Sequence, residues 1–161
     1  MDYVRGKAGA AIGARLRRLS ERIDGDATRA YAAQGVAFEQ RWFGLLNQLA
    51  LNGAMSVGDL AQALGITHVS VSQARQSLEK AGLIRQEPDT TDARRRLLSL
   101  SATGTDLVAR LAPLWTAFER ASMELDREAG GLVAALDRLE TALDRQSLFD
   151  RVTDLCGEER S

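Results

Sequence analysis

The fold turns on one stretch, Ser56-Val57-Gly58-Asp59-Leu60-Ala61-Gln62-Ala63-Leu64-Gly65-Ile66-Thr67-His68-Val69-Ser70-Val71-Ser72-Gln73-Ala74-Arg75-Gln76-Ser77-Leu78-Glu79-Lys80-Ala81-Gly82. Val57, Leu60, Ala61 and Leu64 recur at i, i+3, i+4 and i+7, the stripe of a helix with one buried face, and Ser56 stands before them as an N-cap. Gly65 punctuates that helix. Thr67 is a second N-cap candidate, after which Val71, Ala74, Leu78 and Ala81 mark another buried stripe that Gly82 ends. Two short helices joined by Leu64-Gly65-Ile66-Thr67 form a helix-turn-helix, whose second helix can enter a DNA major groove.

Downstream of Gly82 the period changes. Leu83-Ile84-Arg85-Gln86-Glu87 and Leu97-Leu98-Ser99-Leu100 are strand-length runs, and the polar stretch from Pro88 to Arg96 lies between them. This predicts a β-hairpin with a basic loop, a wing that can reach phosphates or the electronegative minor groove. Upstream, Phe38, Trp42, Leu45, Leu46 and Leu49 predict a helix ending at Asn52-Gly53. Before that, Ile12, Leu16, Leu19 and Ile23 at spacings of 4, 3 and 4 form a heptad-like seam that either stops at Gly25 or is carried by Ala27, Ala30 and Tyr31 to Gly35. Leu107, Leu111, Leu114, Trp115, Phe118 and Leu125 carry a long helix bent at Pro113. After Gly130-Gly131, Leu132, Leu136, Leu139 and Leu143 repeat the 4-3-4 spacing. Leu148, Phe149, Val152 and Leu155 make a last short helix, in which Cys156 reads as a packed structural thiol. The expected fold is mainly α with a small β-hairpin: a winged helix-turn-helix over 36–104, flanked by dimerisation helices in 1–35 and 105–161.

The chain has 161 residues, 45% of them hydrophobic and 27% charged, in the range of a globular protein of one extended domain. Its net charge of −1 argues against a nucleic-acid binder until it is divided. Residues 1–54 carry net +3, residues 55–118 net +1 and residues 119–161 net −5. No long apolar run suggests a membrane span, and Met1-Asp2-Tyr3-Val4-Arg5-Gly6 lacks the apolar core of a secretory signal, so a cytoplasmic location is expected. One cysteine and one histidine, Cys156 and His68, leave no ligand set for a cysteine- or histidine-based metal site. There is no nucleophile paired with a base and no phosphate-binding glycine loop. An enzyme is therefore not expected, nor is a cofactor.

The sequence from Ser56 to Gly104 resembles the MarR family of bacterial transcription regulators. The likeness rests on the helix-turn-helix, on Leu78-Glu79-Lys80-Ala81-Gly82-Leu83-Ile84, and on the wing Asp92-Ala93-Arg94-Arg95-Arg96 through Leu100-Ser101-Ala102-Thr103-Gly104. Asp92, Arg94, Leu100 and Gly104 match the family pattern, and Ser101 falls at the place of its threonine. Ala93 departs from a common arginine, Ser101 from threonine, and Gln73 from an arginine many members carry.

The resemblance implies a homodimeric, sequence-specific DNA-binding regulator, a repressor relieved by a ligand. Helix 67–81 would lie in the major groove of a palindromic double-stranded operator, with wing 88–96 in the minor groove. The alternative is a winged helix that binds protein instead. On the recognition helix, Thr67, His68, Ser70, Ser72, Gln73, Arg75 and Gln76 are candidates. Gln73 suits bidentate adenine recognition, and Arg75 suits a phosphate. In the wing, Arg94 would enter the minor groove, steadied by Asp92, while Arg95 and Arg96 neutralise phosphate. The dimer seams are Ile12, Leu16, Leu19 and Ile23 with Leu132, Leu136, Leu139 and Leu143. A small-molecule effector would be lined by Tyr31, Phe38, Trp42, Trp115 and Phe118. Some relatives carry a fused acetyltransferase, which the length of this chain leads us not to expect.

Overall fold

A computed structural model describes residue 3, residues 5–89 and residues 96–158. By compactness the chain divides into Met1–Arg110 and Leu111–Ser161.

In the first unit, a 3-10 stretch Arg5–Ala11 leads into α1, Ile12–Ala33. This helix is unbroken at Gly25, so of the two readings the one that Ala27, Ala30 and Tyr31 carry toward Gly35 holds. A mid-helix glycine costs only about 1 kcal/mol relative to alanine, too little to stop a helix of 22 residues. The chain turns at Gly35, in the left-handed region with φ 66°. Helix α2, Trp42–Asn52, begins one turn later than the apolar pattern predicts. Phe38 still lies in the core, but in the connection before the helix.

Helix α3, Val57–Leu64, opens with a reciprocal capping box: Asp59 N donates to Ser56 Oγ at 3.1 Å, and Ser56 N donates to Asp59 Oδ2 at 3.2 Å. Its end is a left-handed Gly65, with Ile66 N donating back to Ala61 O at 3.1 Å. Helix α4, His68–Lys80, is capped by Thr67, whose Oγ1 accepts from Ser70 N at 3.1 Å. It stops at Gly82, φ 71°, where Leu83 N returns to Leu78 O at 3.0 Å. Both helices therefore end within a residue of the positions their caps predict.

Three strands complete this unit: β1 (Met55–Ser56), β2 (Ile84–Pro88) and β3 (Arg96–Leu100), in the order β1-β3-β2 with β3 central. In the hairpin Ile84 faces Leu100 and Pro88 faces Arg96, all antiparallel. The pairing of Met55 and Ser56 with Leu98 and Leu97 was not predicted. The core gathers Leu45 and Leu46 of α2, Leu60 of α3, Val71 and Leu78 of α4, and Leu98 of β3. Burying each such side chain is worth about 1.5–3 kcal/mol relative to exposure.

Helix α5, Ala102–Glu128, runs across the division between the units and continues through Pro113. In the second unit, Gly130 and Gly131 both take positive φ. They turn the chain into α6, Leu132–Arg145, which precedes α7, Leu148–Glu158. Asp126 Oδ1 accepts from Val133 N at 2.7 Å, which occupies a donor at the start of α6. Arg151 donates to the carbonyls of Ala142 at 2.8 Å and Gln146 at 3.1 Å, closing its end.

The apolar residues of α7 stay exposed, Phe149 to 76%. Cys156 is exposed as well, against the expected packed thiol, because among the described residues nothing covers that side of the helix. Among the described residues no helix is long and apolar enough to cross a membrane.

Candidate nucleic-acid interface

Helix α4 turns Val71, Ala74 and Leu78 inward, so the residues offset from them by about half a turn must face out. Val69, Ser70, Gln73, Gln76 and Lys80 form that outer stripe, and all five are exposed. Thr67 and His68 are exposed at its N-terminal end, while Ser72 is half-buried on the flank. The stripe thus offers neutral groups that both donate and accept, Ser70, Gln73 and Gln76, with one cation at its far end. Val69 and Lys80 were absent from the expected set. The same helical wheel that selected Gln73 contains them.

Arg75 does not join the stripe. It projects more than half a turn from Gln73, beside the buried face, and its side chain is 24% exposed. Its Nη1 lies 3.4 Å from Glu79 Oε1, which also accepts from Gln86 Nε2 of β2 at 2.7 Å. The expected phosphate ligand is therefore engaged at the junction of helix and hairpin. It belongs to a contact that ties the C-terminal half of α4 to the wing strand.

The hairpin carries a second polar cluster. Arg85 Nε donates to Glu87 Oε1 at 3.2 Å and to Ser99 Oγ at 3.1 Å, and Ser99 Oγ donates in turn to Glu87 Oε1. The Ser99 hydroxyl, and after it the Arg85 guanidinium, hold the Glu87 carboxyl below its ordinary pKa. Arg85 and Ser99 are register partners and Glu87 lies two residues along, so the cluster occupies one face of the sheet. Arg96 is exposed where β3 begins. Asp92, Arg94 and Arg95 fall outside the described residues.

At the base of the wing, Ser101 caps α5. Its Oγ accepts from Gly104 N at 3.0 Å and donates to Gly82 O at 2.6 Å, while Ser101 N donates to Leu83 O at 3.0 Å. The end of α4, the start of β2 and the start of α5 thus meet at one knot, and Gly104 sits against it.

The five expected effector-lining aromatics fall in both units of the chain. Tyr31 and Phe38 stack with centroids 4.1 Å apart, and Phe38 meets Trp42 edge-on at 5.6 Å. All three are buried. Trp42 Nε1 donates to Ser77 Oγ of α4 at 2.7 Å. Trp115 and Phe118 lie in the second unit, half-buried. The expected dimer seams are uncovered within the chain: Ile12, Leu16, Leu19 and Ile23 of α1 are exposed, Ile23 to 59%. On α6, Leu132 and Leu143 are exposed and Leu136 and Leu139 half-buried.

Two capped helices, a three-stranded sheet and a hairpin beside the second helix define a winged helix-turn-helix protein. A model of the MarR family matches residues 35–95 of the chain. Over 92 residues it is 30% identical to the transcriptional activatory protein BadR of Rhodopseudomonas palustris, a match spanning 56% of this chain and 52% of that protein. The chain therefore spans about half the length of this curated relative. Its fold resembles that of the Staphylococcus aureus protein MepR, solved in complex with DNA, at TM-score 0.66 and 23% identity over 80% of this chain and 94% of that one. It also resembles Bordetella bronchiseptica BpsR, whose DNA binding is regulated by 6-hydroxynicotinic acid, at TM-score 0.66 and 22% identity over 80% and 92%.

Proposed function

We propose that this chain is a dimeric transcription regulator that binds double-stranded DNA in a sequence-specific manner and responds to a small-molecule effector. The observation that carries the reading is the exposed stripe of α4, where Ser70, Gln73 and Gln76 stand clear of the core beside a hairpin with Arg94 and Arg95 between its strands and Arg96 at the start of β3. Gln73 can pair both edges of an adenine in the major groove. The arginines of the wing neutralise phosphate and suit the electronegative minor groove, with Asp92 orienting Arg94. The exposed seams of α1 and α6 support a homodimer, which sets two recognition helices about 34–36 Å apart on a palindrome. MepR, solved on DNA, and BpsR, regulated by 6-hydroxynicotinic acid, support the DNA and effector parts of the reading. The finer role we propose is a repressor released from its operator by such a ligand.

Binding to genomic fragments at several salt concentrations tests this. The wild-type affinity falls steeply with salt as phosphate counterions are released. Arg94→Ala lowers affinity for every duplex and flattens the salt dependence, whereas Gln73→Ala changes which sequences are preferred. If neither substitution alters DNA binding, the groove assignment is wrong and the winged helix serves another partner.

A further inference from the structure

Most of what holds α4 in place is apolar. Val71, Ala74 and Leu78 bury its inner face, and such contacts are non-directional. They fix how deep the helix lies more firmly than how it is turned about its axis. Turning matters at the outer stripe, because side-chain tips lie about 5–6 Å from the axis and a rotation of about 10° carries them about 1 Å. Hydrogen bonds to a base edge span only about half an ångström of acceptable distance.

One directional bond resists that rotation from within the core. Trp42 Nε1, on the buried ring at the start of α2, donates to Ser77 Oγ at 2.7 Å. Ser77 lies one turn beyond Gln73 on nearly the same side of α4, so it is where the outer stripe meets the core. Its hydroxyl also donates to Ala74 O at 3.0 Å. That oxygen is therefore occupied twice, and the serine acts as an anchor. The donor is itself held: the Trp42 ring is 8% exposed and meets Phe38 edge-on, and Phe38 stacks on Tyr31 of α1. An indole N–H in that position has no water to turn to, so the bond is expensive to leave unmade.

We infer that Trp42, through Ser77, is a positioning residue that fixes the rotational setting of the recognition helix and thereby its base discrimination. The inference rests on the DNA-binding reading above. It assigns Trp42 no contact with DNA.

The test uses the full chain with Trp42→Phe, Ser77→Ala, the double variant and the conservative Ser77→Thr, which keeps the hydroxyl. Affinity is measured at one salt concentration for the best wild-type duplex and for a scrambled duplex of equal length. Each single variant should lower the ratio of the two affinities about fivefold, the worth of one net hydrogen bond. The double should lose no more than the worse single, Ser77→Thr should keep the wild-type ratio, and affinity for the scrambled duplex should not move. A variant that melts earlier yet keeps the ratio marks the bond as merely structural and overturns the inference. So do losses that multiply in the double. A wild type that prefers no duplex refutes the DNA reading instead. The bond is then judged in the free protein by hydrogen exchange of the α4 amides, which Ser77→Ala must accelerate and Ser77→Thr must not if the inference is to stand.

Discussion

Replacing Gly104 with alanine sets two physical effects against each other, and their sizes decide the outcome. Gly104 lies in the first turn of α5, where helix propensity alone predicts that alanine stabilises by about 1 kcal/mol. A Cβ at that position, however, would sit 2.0 Å from the carbonyl oxygen of Leu83 and 3.0 Å from its carbon. A carbon and an oxygen approach comfortably to about 3.3 Å, so α5 would have to retreat by more than an ångström from the strand it starts beside. The obstacle is backbone, not a side chain that can swing away. That same carbonyl accepts from Ser101 N at 3.0 Å, and Ser101 Oγ reaches Gly82 O at 2.6 Å. A retreat of this size breaks both. Two hydrogen bonds at about 1 kcal/mol each and about 1–3 kcal/mol for overpacking exceed the propensity gain. The net expectation is a loss of about 2–4 kcal/mol, against a total stability of about 5–15 kcal/mol for a domain. Thermal and urea unfolding followed by circular dichroism would show it as a melting temperature lower by about 10 °C. Gly25→Ala is the internal control. Gly25 is exposed within α1, nothing lies within 4 Å of the place its methyl group would take and no positive φ applies, so that variant should gain up to about 1 kcal/mol. A Gly104→Ala protein as stable as wild type would refute the reasoning, since the propensity term would then have won.

Ser56→Ala removes the capping box of α3 and should cost about 1 kcal/mol, read by urea unfolding; Ser56 is also buried, so a smaller loss would mean that a neighbour replaces the cap. Ser99→Ala should raise the Glu87 carboxyl toward its ordinary value near 4.5, followed by NMR titration, because Ser99 is the largest cause of its depression. The sign follows from linkage: a depressed carboxylate contributes stability that is present above its ordinary value and is lost as pH falls through the depressed one. Since Glu87 is solvent-exposed, only the titration is expected to move visibly. Leu19→Glu places a charge in the exposed seam of α1 and should shift sedimentation toward monomer and weaken binding to a two-half-site duplex; an unchanged dimer would move the interface elsewhere.

What could be read from the sequence was what is local. Ser56, Thr67, Gly65 and Gly82 each act on the turn beside them, and so α3 and α4 were bounded to within a residue by chemistry alone. The hairpin followed from a change of period. Strand β1 escaped because two residues carry no pattern; Met55 and Ser56 become a strand only because Leu97 and Leu98 lie opposite them. At Gly25 the sequence allows both a break and a continuous helix, and the length of helix on either side outweighs the cost of one glycine. Arg75 was legible, since its angle from Gln73 on a helical wheel already places it beside the buried stripe, whereas its engagement with Glu79 and Gln86 needed the fold. The bond from Trp42 to Ser77 spans 35 residues and leaves no trace in periodicity. The exposure of Cys156 depends on what the chain does or does not lay over α7, which no local pattern records.

The overall charge of −1 says little about the interface, because the two tasks of such a surface fall to different residues. On the outer stripe of α4, the groups suited to reading a base are neutral: Ser70, Gln73 and Gln76. Such groups read a base by its pattern of donors and acceptors, whereas contacts to phosphate carry no sequence information. Arg75, the arginine of this helix, is turned against Glu79, and Lys80 stands at the far end. The arginines proposed to neutralise phosphate are concentrated instead in the wing, at Arg94 and Arg95 between β2 and β3 and at Arg96 where β3 begins. The proposed function thereby assigns affinity to the wing and specificity to the helix. A contact from Glu79 to Gln86 at 2.7 Å connects the two. Two copies acting on one site would double these contacts, and this is why the exposed seam residues of α1 and α6 bear on the proposed function as much as on assembly.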